Sequence, residues 1–133
     1  MSTLRLEIVT PERKVYEQDV DMVVVKGVAG ELGILPNHIP LVTPLKVAPV
    51  KAKKPGGGED FIAVHSGFME VSKDKVVILA EVAELPGEID VERAKRAKER
   101  AEQRLGDKDH YDFRRAEIAL QKAMTRISIT SKH

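Results

Sequence analysis

Pro86-Gly87-Glu88-Ile89-Asp90-Val91-Glu92-Arg93-Ala94 divides the chain into two unlike parts. Before it, short runs of β-branched and alternating residues read as strands; after it, apolar residues recur every three or four positions, as on a helix. Pro86-Gly87 breaks whatever precedes it, and Asp90 puts a carboxylate where a helix begins. The stretch is expected to be a hinge that leads directly into a helix.

Upstream, Leu4-Arg5-Leu6-Glu7-Ile8 alternates apolar and polar with period two, the pattern of a strand with one wet face. Val15-Tyr16-Glu17 and Met22-Val23-Val24-Val25-Lys26 follow, the second apolar on both faces and so expected inside a sheet. Residues 30–45 are apolar but carry Pro36, Pro40 and Pro44, which excludes a helix and leaves extended chain with tight corners. Val47 to Lys54 ends in Pro55-Gly56-Gly57-Gly58, a hairpin tip; no helix follows those glycines, as a phosphate loop would require. Phe61 to Val64, Gly67 to Val71 and Lys75 to Ala80 are expected as three further strands. His65 beside Ser66 is not expected to make a nucleophile, because neighbouring strand residues point to opposite faces and no orienting acid stands close by in sequence, which leaves open only an acid distant in the chain.

Downstream, Val91, Ala94, Ala97, Ala101 and Leu105 form one narrow stripe of a helix that starts at Asp90. A corner at Gly106-Asp107-Lys108-Asp109 leads to a second helix from about Asp112 to Ile127, with Phe113, Ala116, Leu120, Ala123, Met124 and Ile127 as its stripe. The expected fold is α+β: an N-terminal antiparallel β-sandwich or flattened barrel over residues 1–86, then an antiparallel two-helix hairpin over residues 87–133. The stripes are rich in alanine, and each Ala in place of a Leu forgoes about 2 kcal/mol of burial while letting helices approach closely. Such a hairpin closes tightly but is held weakly, so closed and opened arrangements lie near one another in free energy.

Composition sets limits on function. The 133 residues hold one sizeable core, and 22 basic against 21 acidic residues argue against bulk nucleic-acid binding. The charge is uneven: residues 1–87 carry 10 basic and 12 acidic groups, residues 88–133 carry 12 and 9, so an electrostatic role falls to the tail. There is no cysteine, and His38, His65, His110 and His133 are scattered, so no metal site is expected. No run approaches a membrane span and the N-terminus lacks the apolar segment of a signal peptide; a soluble, cytoplasmic protein without direct membrane insertion is expected.

At about 100° per residue, Arg93, Arg100 and Arg104 lie within about 40° of one another beside the first stripe. Arg115, Lys122 and Arg126 repeat the same offsets of seven and eleven beside the second. Two readings stand: solvated flanks paired with local acids, such as Asp90 with Arg93, or rows that converge on an anion or an acidic partner.

Over its whole length the chain resembles the epsilon subunits of bacterial F-type ATP synthases. Gly-Glu-Leu-Gly-Ile-Leu-Pro-Asn-His-Ile-Pro-Leu-Val at 30–42 is similar to that family's signature, and Gly67-Phe68-Met69-Glu70-Val71 to its later strand motif. The resemblance implies a non-catalytic rotor subunit, peripheral on the cytoplasmic face of the cell membrane. Its sandwich would join the gamma subunit to the membrane c-ring through Glu31, Leu32, Ile34, Leu35, Pro36 and His38. Its hairpin would extend into the alpha/beta catalytic head and block hydrolysis, with Arg115, Lys122 and Arg126 as the inhibitory contact. Ile89-Asp90-Val91-Glu92-Arg93-Ala94 also resembles the I/L-D-x-x-R-A motif of family members that bind ATP in the folded hairpin, familiar from thermophilic Bacillus. Carried over by position, Glu84, Ile89, Asp90, Arg93 and Ala94 would surround the adenine and ribose, and Arg100, Lys122 and Arg126 would approach the phosphates. ATP is then a regulatory ligand, with accompanying Mg²⁺ left open. The family has arginine where Lys122 aligns, and lysine loses the fork that grips two phosphate oxygens. The segment from Leu105 to Phe113 is one residue shorter than in those relatives. A structural rotor subunit with a permanently folded hairpin and a free-standing nucleotide enzyme are the competing readings; the second lacks a nucleophile, a metal cluster and a phosphate loop.

Overall fold

Leu4, Leu6 and Ile8 point inward from β1 (Leu4–Val9) while Arg5 and Glu7 face out, so the period-two pattern of the sequence becomes one wet and one buried face. The computed structural model describes residues 2–107, 109 and 112–131. Lys108, His110 and His133, named above in the expected corner and among the histidines, lie outside the described residues. The other strands are β2 (Lys14–Val20), β3 (Met22–Gly27), β4 (Gly30–Ile34), β5 (Leu41–Leu45), β6 (Ala48–Lys53), β7 (Glu59–Ser72) and β8 (Lys75–Glu84). They form one folded sheet in the order β2-β1-β8-β7-β5-β3-β4, with β6 bridging β3 and β7. β1 and β8 run parallel; the other pairings are antiparallel.

The two strands expected at Phe61 to Val64 and Gly67 to Val71 are one strand that turns a corner. Its first half pairs with β6, from Lys53↔Glu59 to Ala48↔Val64, and its second half with β5, from Leu45↔Gly67 to Leu41↔Val71. Ser66 stands between them with φ +61°, a left-handed conformation that lets the strand pass from one layer of the sandwich to the other. At the next residue a Cβ would collide with the carbonyl of Leu79, so only glycine fits at Gly67.

The core fills the space between the layers with Leu6, Ile8, Val23, Ile34, Ile62, Val64, Met69 and Ile78, each at most 1% exposed. Ala48 and Ala63 are also buried but stand outside that cluster. Alternation puts Ala63 and His65 on the opposite face of β7 from Ile62 and Val64, and that face is covered by a helix.

α1 (Val91–Leu105) and α2 (Phe113–Thr130) form the hairpin. Asp90 caps α1 by accepting the N–H of Arg93 at 3.0 Å, and Asp112 caps α2 by accepting those of Arg114 and Arg115. The side-chain pairing of Asp90 with Arg93 is replaced by this backbone cap. Ala94, Ala101, Ala116 and Ala123 are buried, and α1 packs along α2 as the stripes require. The stripe of α2 needs correction at two members, the first being Phe113, which is 46% exposed in the first turn. Met124 is half exposed, whereas Thr125 and Ile129 are buried, because α2 also packs on β6 and β7 and therefore has two buried faces.

Candidate functional site

Leu85, at the end of β8, leads into a single 3-10 turn, Pro86–Glu88. The turn is braced rather than free. Glu88 Oε1 accepts the N–H of Leu85 at 2.9 Å, and Glu88 Oε2 accepts Nη2 of Arg13 at 2.6 Å. Arg13 comes from the β1–β2 corner, where its backbone is tied to Thr10. The Leu85 N–H first, and Arg13 after it, hold the Glu88 carboxyl below the ordinary carboxylate range. A free joint at Pro86-Gly87 is thus not what the sequence builds: one Glu88 bond closes the turn on its cap residue, Leu85, and the other fixes it to the sandwich through Arg13.

Beyond the brace, the chain closes a cavity of about 350 Å³ between the end of β8, the turn and the two helices. Glu84, Glu88, Ile89, Asp90, Arg93, Ala94, Ala97, Arg100 and Arg126 line it. Ile89, Ala94 and Ala97 give it an apolar side, and alanine at 94 and 97 leaves room that longer side chains would fill. Arg93 and Arg100 come from α1, two turns apart, and Arg126 faces them from α2. Arg126 Nε donates to Glu84 Oε1 at 2.7 Å, and the same oxygen lies 3.0 Å from His65 Nε2. Among the described residues neither Arg93 nor Arg100 has a carboxylate within 4.0 Å, so two guanidinium groups border the cavity without a direct ion pair, in a lining that also holds Glu84, Glu88 and Asp90. The space suits a ligand with an apolar or aromatic part and an anionic part, and its volume is that of small-molecule sites.

Of the residues named for ATP, Glu84, Ile89, Asp90, Arg93, Ala94, Arg100 and Arg126 meet in this cavity, and Lys122 does not. Lys122 lies one turn before Arg126 on α2, half-buried, where its charge acts on His65. Arg115 is exposed in the first turn of α2, and its backbone N–H is engaged by the Asp112 cap. The two rows of cations therefore converge only in part: Arg93, Arg100 and Arg126 share the cavity. Glu88 and Ala97 line it without having been singled out for it. Ala97 carried a signal, standing three residues after Ala94 on the same stripe; the Arg13–Glu88 and His65–Glu84 contacts span 75 and 19 positions, which spacing does not reveal.

The residues named for the rotor interface occupy β4 and the turn after it. Glu31 and Leu35 are exposed, Leu32, Pro36 and His38 are half-buried, and Ile34 is 1% exposed. Ile34 is spent on the core and has no surface to offer a partner, which removes it from that set. Ile39, 75% exposed, is the apolar side chain that the turn presents in its place. Asn37 N–H donates to the carbonyl of Lys73 at 2.7 Å, which ties this turn to the β7–β8 hairpin.

Comparison with known proteins agrees in both halves. The ATP synthase delta/epsilon chain β-sandwich domain matches residues 3–86, and the delta/epsilon chain long α-helix domain matches residues 88–131. The ATP synthase epsilon chain of Halalkalibacterium halodurans is 57% identical over 134 aligned residues, covering 99% of this chain and 100% of the relative. That of Alkalihalophilus pseudofirmus is 59% identical with the same coverage. In fold, the chain is similar to one in the Euglena gracilis mitochondrial ATP synthase OSCP/F1/c-ring structure, with a TM-score of 0.84, 23% identity, and coverage of 100% of this chain and 83% of that one. The chain belongs to the ATP synthase delta/epsilon family as an epsilon chain, a subunit of the synthase and not its catalytic one.

Proposed function

We propose that this epsilon chain is a nucleotide-sensing brake on the synthase. ATP occupies the cavity between hinge and hairpin, its base against Ile89 and Ala94 near Glu84, its phosphates toward Arg93, Arg100 and Arg126. The observation that carries this reading is the pair of guanidinium groups, Arg93 and Arg100, without a carboxylate within 4.0 Å among the described residues, beside a small, partly apolar cavity. An anion there offsets their repulsion with Arg126 and stabilises the closed hairpin. At about 100 times its dissociation constant a ligand adds roughly 2.7 kcal/mol to the state that binds it, enough to offset one alanine-for-leucine deficit in the seam. When nucleotide falls, the hairpin opens and Arg115, Lys122 and Arg126 lie against acidic surface of the alpha/beta head. The nucleotide brings its own Mg²⁺ if it needs one, since among the described residues no three acids or histidines are grouped to hold a metal.

The sandwich serves the rotor through Glu31, Leu32, Leu35, Pro36 and His38, facing the gamma subunit and the c-ring. Among the described residues no helix is long and apolar enough to cross a membrane, and attachment through these partners gives a peripheral position on the cytoplasmic side.

Calorimetric titration of the full chain with ATP tests the sensor, and absence of heat at millimolar nucleotide sinks it. Removal of residues 88–133 tests the brake: hydrolysis by the assembled synthase should rise while synthesis persists. A purely structural rotor subunit is the second reading, favoured by the Arg126–Glu84 tie, which holds α2 to the sandwich without any ligand. Unchanged hydrolysis after truncation selects it.

A further inference from the structure

One buried titratable group touches the site through Glu84 without lining the cavity. His65 is 2% exposed; Nε2 lies 3.0 Å from Glu84 Oε1, whereas Nδ1 has no hydrogen-bond partner. A carboxylate oxygen only accepts, so in the neutral ring Nε2 carries the hydrogen and Nδ1 is a bare lone pair. Glu84 Oε1 is thereby held from two sides, by His65 beneath and by Arg126 from α2.

We propose that neutral His65 is the positioning residue that fixes Glu84 for Arg126, and that a proton taken up at Nδ1 undocks α2 from the sandwich. The consequence for nucleotide rests on the function proposed above; the undocking does not. His65 occupies the face of β7 that α2 covers, so water reaches the ring only when that helix lifts. The charged groups facing it are Glu84 from β8 and Arg126 and Lys122 from α2, while β6 contributes uncharged Ala48 and Pro49 beside Val64 and Ala63. A protonated ring would bury a second N–H with no acceptor, close to two cations, against a single carboxylate already shared with one of them. Burial above all, then Arg126, keeps the imidazole pKa below its ordinary value, with Glu84 acting in the opposite direction.

Lifting α2 removes both cations and admits water to Nδ1, so the imidazole pKa rises again, with Glu84 still beside the ring acting in the same direction. The undocked form then binds the proton more tightly than the docked form. Docking is at full strength above the pKa of the undocked ring and weakens as pH falls below it, by up to about tenfold per pH unit, until the lowered pKa of the docked form is reached.

The test uses the full chain without nucleotide. Amide hydrogen exchange across residues 113–130, corrected for intrinsic rates, should show protection constant near pH 8 and falling as pH drops toward 5. The carbon-bound ring proton of His65 should titrate below the ordinary histidine range by NMR. His65→Gln keeps an N–H for Glu84 but does not titrate in this range, and should flatten the profile; His38 is retained and serves as the internal control. Protection independent of pH from 8 to 5, a profile unchanged in His65→Gln, or a His65 titration at or above the ordinary value overturns the proposal. ATP titrations at pH 7.5 and pH 5.8 separate the two readings. No binding at either pH, with pH-dependent exchange intact, removes the nucleotide function and leaves the proton-linked docking standing.

Discussion

Glu84→Ala should loosen the hairpin without harming the sandwich. Glu84 closes the β7–β8 ladder opposite Ala63 through its backbone, which alanine preserves, so the strand pairing survives. In the docked state the substitution leaves the imidazole of His65, 2% exposed, with neither ring nitrogen paired. A buried donor stripped of its partner costs about 1–3 kcal/mol. The lost ion pair with Arg126 is partly exposed, at 31% and 24% for the two side chains, and adds at most about 1 kcal/mol. In the undocked state water satisfies both orphaned groups, so a cost near the middle, about 2–3 kcal/mol, falls on docking. That corresponds to roughly 30- to 150-fold more frequent opening of α2. Hydrogen exchange at pH 7.5 reads it directly, with the β1 amides as an internal reference. Exchange of α2 within twofold of the unaltered chain would show that Glu84 is not the anchor; an equal rise in β1 would mean that the sandwich itself had weakened.

Two other substitutions separate roles that share a residue. Asp90→Asn retains a good helix cap and Asp90→Ala does not, so thermal melting should separate them by about 1 kcal/mol; if the carboxylate serves nucleotide, both lose ATP affinity by calorimetry. Arg93→Ala leaves the cap intact, because the cap uses the Arg93 backbone, and should lower only affinity. Gly67→Ala should cost about 1–3 kcal/mol in urea denaturation, since the added carbon meets a carbonyl that cannot yield; Ser66→Gly should be nearly neutral, relief of about 1 kcal/mol in the left-handed conformation being offset by glycine's entropy.

Local chemistry made much of this molecule readable. Leu4 to Ile8 alternates because one face of β1 meets the core, and Asp90 announces a helix because a carboxylate satisfies the free N–H of Arg93. The alanine stripes foretold a close hairpin, and the basic offsets foretold that Arg93, Arg100 and Arg126 border a seam. What stayed hidden depends on contacts remote in sequence. β7 looked like two strands because Ser66 interrupts it where its partner changes from β6 to β5. The run Ile62 to His65 is buried on both faces since α2 roofs one of them, which also hid the second buried face at Thr125 and Ile129. Lys122 shares the seam's angular position with Arg126 yet misses the cavity, because the cavity lies at the hinge end of the hairpin and one turn of helix carries Lys122 past it.

The Arg13–Glu88 brace sets a fulcrum. Glu88 is the last residue before α1 that a side-chain bond ties to the sandwich, and Asp90 already belongs to the helix as its cap, so a swinging hairpin turns at extended Ile89. At about 1.5 Å per residue, the 15 residues of α1 and the 18 of α2 laid end to end make a lever of about 50 Å. A rotation of about 10° at that single residue moves the far tip of such a lever by about 9 Å, a displacement larger than the spacing between packed strands.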